Sequence, residues 1–384
     1  MTRAITHIGG PFAALLLLVA LFFAYEPLRR PLGSAPPPIE TLTVERTVLD
    51  ENGIALKVRA DGTEPVSIAQ LQVDGAFWQF EQDPPGALPR LTSAWIAIPY
   101  PWVEGETHKV LLLTRNGLTF EHEIEVAWPT PQVGITELWR LTLAGLFVGV
   151  LPVALGMLFY PALRSGGAAA FRFALALTIG LLAFLLIDML EEALELAASA
   201  AAGLNTGLLV WAVTGLSCLL LFGLARLGGG PLVGVKLATS IAFAIGLHNL
   251  GEGLAVGSAF ASGATALGGY LLLGFTLHNV TEGIGIVAPL LDRRPRLFLL
   301  AGLAALAGLP AVFGMWLGAF AFSSHWAALA LAVGAGAILQ VMIEVGLLLK
   351  NDLIGEDGRG YPITLAGFAA GVAIMYVTAL LVPV

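Results

Sequence analysis

Cysteine occurs once in the 384 residues, at Cys218. A single thiol closes no internal disulfide and builds no thiolate cage, so a disulfide scaffold is excluded and soft-metal chemistry such as copper(I) has little support. Charge is scarce too. Only 12% of residues are charged, and Lys+Arg 19 against Asp+Glu 27 leaves a formal net charge of -8. Without a basic surplus there is no field to attract nucleic acid, which is therefore not an expected partner. Apolar residues take the place of charge, at 57% of the chain. That is more apolar surface than one soluble core can hide, and it falls in runs of about 20 residues, the length that crosses a bilayer. Most soluble enzyme classes drop out, and the expected fold class is a membrane all-α helical bundle carrying a small all-β domain.

The domains follow composition. Arg3 precedes an apolar run from Ile8 to Tyr25, which reads as a secretory signal or an anchor helix over residues 1–30. Tyr25-Glu26-Pro27 leaves no clear small-x-small cleavage site, which favours the anchor. The proline-rich stretch 31–38 reads as an extended linker. Residues 39–130 are polar and alternate with period two, as in Thr41-Leu42-Thr43-Val44-Glu45, Ile54 to Arg59 and Phe77-Trp78-Gln79-Phe80-Glu81, the pattern of half-buried strands. Lys109 to Leu113 and Phe120 to Val126 flank Asn116-Gly117, residues that a type I′ hairpin turn prefers. Six or seven short strands in this stretch predict an antiparallel sandwich, with Trp78, Trp95 and Trp102 in its core; such a fold does not specify a ligand. His7, His108, His122 and His325 read as solvated surface residues.

Residues 131–384 hold eight apolar spans, near 136–160, 171–198, 206–226, 232–261, 265–291, 297–321, 326–349 and 361–383. Arg164 and Arg172 flank the first connection, Arg226 and Lys236 the third, Arg293, Arg294 and Arg296 the fifth, and Lys350 and Arg359 the seventh; the even connections have no Lys or Arg. Positive loops stay in the cytoplasm, so the β-domain and the C-terminus are expected outside the cytoplasm, in a cell (inner) membrane protein. With the anchor, nine crossings are expected.

Ionisable groups inside membrane spans are costly and usually functional. Here they recur in a pattern: His248-Asn249-Leu250-Gly251-Glu252-Gly253 and His278-Asn279-Val280-Thr281-Glu282-Gly283 repeat His-Asn-x-x-Glu-Gly 30 residues apart. Positions i and i+4 lie on one helix face, about 6 Å apart along the axis, so each motif presents an imidazole and a carboxylate together. The two spans run in opposite directions across the short connection Ser262 to Ala264, and their faces can converge. Two histidines and two glutamates suit Zn²⁺, Fe²⁺ or Mn²⁺, and two carboxylates neutralise one divalent cation. Asn249 and Asn279 can give a carbonyl oxygen or orient a ligand. Gly253 and Gly283 leave room for close helix approach.

These motifs resemble the paired metal motifs of the ZIP (Zrt/Irt-like) divalent metal transporters, across roughly Thr136 to Val384. Flanking stretches are also similar: Asp188-Met189-Leu190-Glu191-Glu192-Ala193 resembles the family's His-Leu-Leu-Pro-Glu-Ala, and Gly336 to Glu344 a stretch that ends in Glu. The resemblance implies an eight-helix core and ion binding by His248, Asn249, Glu252, His278, Asn279 and Glu282. It also shows departures. Gly251 and Thr281 stand where the family often has proline, and Gly251 could replace one kink. Ala311 stands where a bridging glutamate would sit, which leaves the number of metal sites open. The connection Leu227 to Pro231 has no histidines.

The expected function is a permease that moves a divalent ion toward the cytoplasm by alternating access, with Zn²⁺ foremost and Fe²⁺, Mn²⁺ and Cd²⁺ as alternatives. Its ligands must be deprotonated, so transport should depend on pH. Asp188 and Glu192, with Glu191, are candidates for an outer waystation, and Gln340 and Glu344 for an exit. Two alternatives remain: a membrane metal sensor, or an intramembrane metalloenzyme, for which the usual His-Glu-x-x-His is absent. The metal is expected as substrate, with no organic cofactor and no enzymatic activity. Expected partners are the bilayer, a second copy of the chain in a homodimer, and an unidentified partner of the β-domain.

Overall fold

The structure is a computed structural model that describes residues 39–227, 232–261, 265–321, 323–354 and 360–380, together with Leu17. The expected anchor helix, the proline-rich linker, His7 and the connections around 228–231 and 262–264 lie outside the described residues.

The β region has eight strands: β1 Leu42–Asp50, β2 Gly53–Ala60, β3 Ile68–Val73, β4 Ala76–Phe77, β5 Glu81–Asp83, β6 Ser93–Ile98, β7 His108–Thr114 and β8 Thr119–Ile124. They form two four-stranded antiparallel sheets, ordered β1-β2-β6-β5 and β4-β3-β7-β8. Alternation sorts their residues: Leu56, Val58, Ile96, Val110 and Leu112 turn into one shared apolar cluster, while their neighbours face out.

Three expectations are corrected. Trp95 is 37% exposed, because Ala94 and Ile96 on either side of it take the inward positions; Trp78 and Trp102 do pack on the core. Phe77 to Glu81 is not one strand. β4 and β5 belong to different sheets, and the chain crosses between them at residues 78–80. The hairpin turn is longer than two residues: Leu113 pairs with Thr119, Gly117 N–H donates to the Thr114 carbonyl, and Gly117 alone in the turn takes a positive φ of 84°. Asn116 keeps a negative φ and gives its amide to Glu40 Oε1 at 2.6 Å, so this is a type I turn closed by a left-handed glycine.

His108 is also not a surface residue. It is 3% exposed, its Nδ1 lies 2.8 Å from Asp74 Oδ2, and the Tyr100 hydroxyl donates to the same oxygen at 2.7 Å. The bond to Asp74 raises the Tyr100 phenol to about 12. Asp74 is held below the usual carboxylate value: its partial burial acts upward, but the Lys109 N–H and the His108 and Tyr100 side chains outweigh it. His122, half-buried against Thr47 Oγ1 at 2.8 Å, is lowered by desolvation.

The helical region follows as α1 Ile135–Gly145, a π turn Leu146–Val150, α2 Leu151–Met157, α3 Tyr160–Ser165, α4 Gly167–Ser199, α5 Thr206–Leu227, α6 Val235–Ala261, α7 Thr265–Val287, α8 Leu297–Ala321, α9 Ser324–Ile354 and α10 Tyr361–Ala379. Among the described residues, seven helical segments are long and apolar enough to cross a membrane, so this is a multi-pass membrane protein. The expected count differs at α6. It is long enough, but Lys236, His248, Asn249 and Glu252 dilute its apolar character, and it is not among the seven. It is instead enclosed, with buried residues on every face from Leu237 to Ala259.

The first crossing, expected as one continuous span, is interrupted. Pro152 lacks the N–H that would bond the Val148 carbonyl four residues back, and the chain widens into the π turn there, with Leu151 N–H reaching Leu146. Two contacts tie the β region to the helices. The Asp61 carboxylate accepts the N–H groups of Ala202 and, at 2.6 Å, Gly203 at the turn after α4. Arg46 Nη1 donates to the Phe320 carbonyl at the end of α8, at 2.6 Å.

Candidate metal centre

Both motif histidines and glutamates are buried: His248 and Glu252 are 3% exposed, His278 7% and Glu282 2%. Helical spacing sets each pair on one face, and the antiparallel packing of α6 and α7 turns the faces together. His278 Nε2 is hydrogen-bonded to Glu252 Oε1. His248 Nε2 lies 3.1 Å from that same oxygen and 3.8 Å from Glu282 Oε1. One ligand atom each from His248, Glu252 and His278 falls within 4.8 Å of the other two, close to the ligand separations of up to about 4.4 Å that metal bonds of about 2.0–2.2 Å allow. The imidazole centroids are 6.1 Å apart, and Phe275 stacks edge-on against His278 at 5.6 Å.

The asparagines are fixed by their amide nitrogens. Asn249 Nδ2 donates to the Ala307 carbonyl of α8 at 3.0 Å. Asn279 Nδ2 donates to the Val148 carbonyl at 3.1 Å and to Glu252 Oε2 at 3.0 Å. This leaves a cluster of atoms without hydrogen bonds: both Glu282 oxygens, both His248 nitrogens, Asn249 Oδ1 and Asn279 Oδ1. His248 Nε2 has its carboxylate neighbour at ion-pair range, but out of line for a hydrogen bond. The oxygens of this set are all acceptors. Glu282 has His248 Nε2 as an ion-pair neighbour at 3.8 Å; burying a carboxylate costs several kcal/mol, and a cation is the group that satisfies such a set at one stroke.

The motif glycines act as expected. A Cβ on Gly253 would strike the Ala311 carbonyl of α8, and one on Gly283 the Val153 carbonyl of α2. α6 runs through Gly251 without a break, and Gly251 makes room for the Leu331 side chain. Ala311 is fully buried at this contact.

The accessory residues fall in two groups, one beside the His/Glu cluster and one further along α6 and α9. Asp188 and Glu192 line a cavity of about 450 Å³ with Glu191 and Glu195, and His278 forms part of its wall. Gln340 is buried and meets Ser240 Oγ at 3.3 Å, about 12 Å along α6 from His248. Glu344, one turn further along α9, is likewise buried. Sequence reading missed the Val148 and Ala307 carbonyls and Glu195. Pro152, four residues after Val148, is the signal for the first; the spacing Asp188, Glu191 or Glu192, Glu195 on one helix face is the signal for the last. No family model matches this chain, and no curated protein matches it.

Proposed function

We propose that this chain is a divalent metal permease of the cell membrane, with Zn²⁺ its foremost substrate, and that it moves the ion toward the cytoplasm by alternating access. The observation that carries the reading is the buried, acceptor-rich cluster of His248, Glu252, His278 and Glu282 between two membrane helices. On this reading the helical region is an eight-helix core of the kind the ZIP-like motifs imply, with α6 as a crossing despite its polar residues, and the two sheets are an extracytoplasmic sandwich. Hydrated metal enters past Asp188, Glu191, Glu192 and Glu195, exchanges water for the four side chains, and leaves past Gln340 and Glu344. Asn249 and Asn279 hold the site through backbone carbonyls and turn their own oxygens toward it.

Uptake of radioactive zinc into proteoliposomes tests this. Accumulation in the wild type, lost in Glu252→Gln and Glu282→Gln, is the expected result. Zinc bound by the protein with none inside the vesicle would point to a sensor, and uptake unchanged in both variants would remove the site from the pathway.

A further inference from the structure

A second concave site lies where α6 and α8 begin. It is a trough of about 680 Å³ with Arg293, Arg294 and Arg296 at its rim. Its walls are apolar: Val235 from α6, and Leu299, Leu303 and Leu306 descending along α8. Among the described residues, no carboxylate lines it. Asp292 Oδ1 is 3.8 Å from Arg293 Nε. Arg294 and Arg296 are exposed. The loop that bears them is held in place, since the Arg293 carbonyl accepts both the Tyr160 hydroxyl and Arg164 Nη1 from α3. Leu297 and Phe298, 84% and 89% exposed, stand beside the arginines at the first turn of α8, so rim and lipid level meet here.

Arginines that only set membrane orientation need no trough beneath them. Leu306 lies nine residues beyond Leu297, about 13 Å deeper along the helix, and an apolar wall of that depth is of no use to a soluble phosphate. We propose that this trough binds an anionic phospholipid, its phosphate between Arg294 and Arg296 and one acyl chain along Leu299, Leu303 and Leu306. Delocalised guanidinium forks suit a phosphodiester, and a basic pocket between membrane helices is a setting in which anionic head groups bind.

The test is native mass spectrometry on delipidated full-length protein titrated with phosphatidylglycerol, phosphatidylcholine or glycerol 1-phosphate. Phosphatidylglycerol should be retained in preference to both others. The double variant Arg294→Gln, Arg296→Gln should weaken its binding roughly 25-fold, at about fivefold for each arginine at an anionic lipid. Gly302→Phe supplies a second variant: Gly302 lines the trough, and a Cβ there meets nothing within 4 Å, so the ring fills the acyl seat while every arginine stays. It too should lose the lipid. Equal retention of phosphatidylcholine, unchanged binding in either variant, or glycerol 1-phosphate binding as tightly as the lipid would overturn the proposal.

Discussion

Asn279 donates its amide to the carbonyl of Val148 at 3.1 Å, the carbonyl whose usual helical donor, the N–H of residue 152, proline lacks. The same amide holds Glu252 Oε2 at 3.0 Å, so a defect in the backbone of one helix positions a carboxylate on another.

Asn279→Leu should separate these roles. Loss of the interhelical bond is expected to cost about 0.6–1.7 kcal/mol of stability, the measured range for such bonds in membranes. Loss of the support behind Glu252 should weaken metal affinity about 10–100-fold. Adding Pro152→Ala returns an N–H to the Val148 carbonyl, and part of the stability should come back while the affinity does not. Unfolding in detergent and equilibrium dialysis with zinc measure the two effects; recovery of both together would show that Asn279 does not support the ligand.

The two glutamates should respond with opposite signs when metal is absent. Glu252 has His278, His248 and Asn279 around it, so Glu252→Gln breaks a buried pair and lowers thermal stability. Neither oxygen of Glu282 has a hydrogen bond, and its ion-pair neighbour His248 Nε2 stands at 3.8 Å, so Glu282→Gln removes a loosely held buried carboxyl and should raise metal-free stability. Both changes should reduce zinc binding. A fall in metal-free melting temperature for Glu282→Gln would count against its being a ligand held by no hydrogen bond.

Asp61 accepts two consecutive N–H groups at the turn after α4. Asp61→Ala should cost about 1.5–3 kcal/mol, the usual effect of losing a hydrogen bond to a charged group. Hydrogen exchange at Ala202 and Gly203 should speed up selectively. Uniform acceleration through the bundle would instead mean that the β region stabilises the helices by some wider contact.

The Asp74–Tyr100 bond gives the β region a pH window. Asp74 is held below its ordinary value, so its stabilisation is present above about pH 4, where the unfolded carboxyl is ionised, and is lost as pH falls through the folded value. Tyr100 is raised to about 12. Its contribution is complete below about pH 10, the unfolded phenol value, and drains away as pH rises toward 12. Ultraviolet titration should show a tyrosine ionising near pH 12, and Asp74→Asn should bring that step to lower pH.

Much of the centre was legible in the chain itself, because helical spacing alone puts His248 with Glu252 and His278 with Glu282. The convergence of the two faces needed only antiparallel neighbours. The carbonyls that grip Asn249 and Asn279 were not legible, since Val148 and Ala307 are apolar side chains whose relevance lies in their backbone and in a tertiary contact. In the β region, alternation located β1, β2, β7 and β8, but β6 was not read as a strand, so nothing in the chain said that Trp95 would take its outward face. The strand pattern at Phe77 to Glu81 failed for another reason: the alternation continued while the chain changed sheets. His108 was misread because one acid, Asp74, satisfies it in the interior.

The π turn at Leu146–Val150 also explains how the first crossing serves two neighbours. Asn249 and Gly253 meet α8 at the carbonyls of Ala307 and Ala311, four residues apart; Asn279 and Gly283 meet the first crossing at Val148 and Val153, five apart. The surplus residue advances the azimuth by about 100°, so the stripe that α1 lays on α8 is handed over, within a single turn, to the stripe that α2 lays on α7. Deleting one residue between Leu146 and Val150 would restore a regular coil and aim Leu141 away from Met315, whereas shortening the crossing at its Ile135 end would leave that handover untouched.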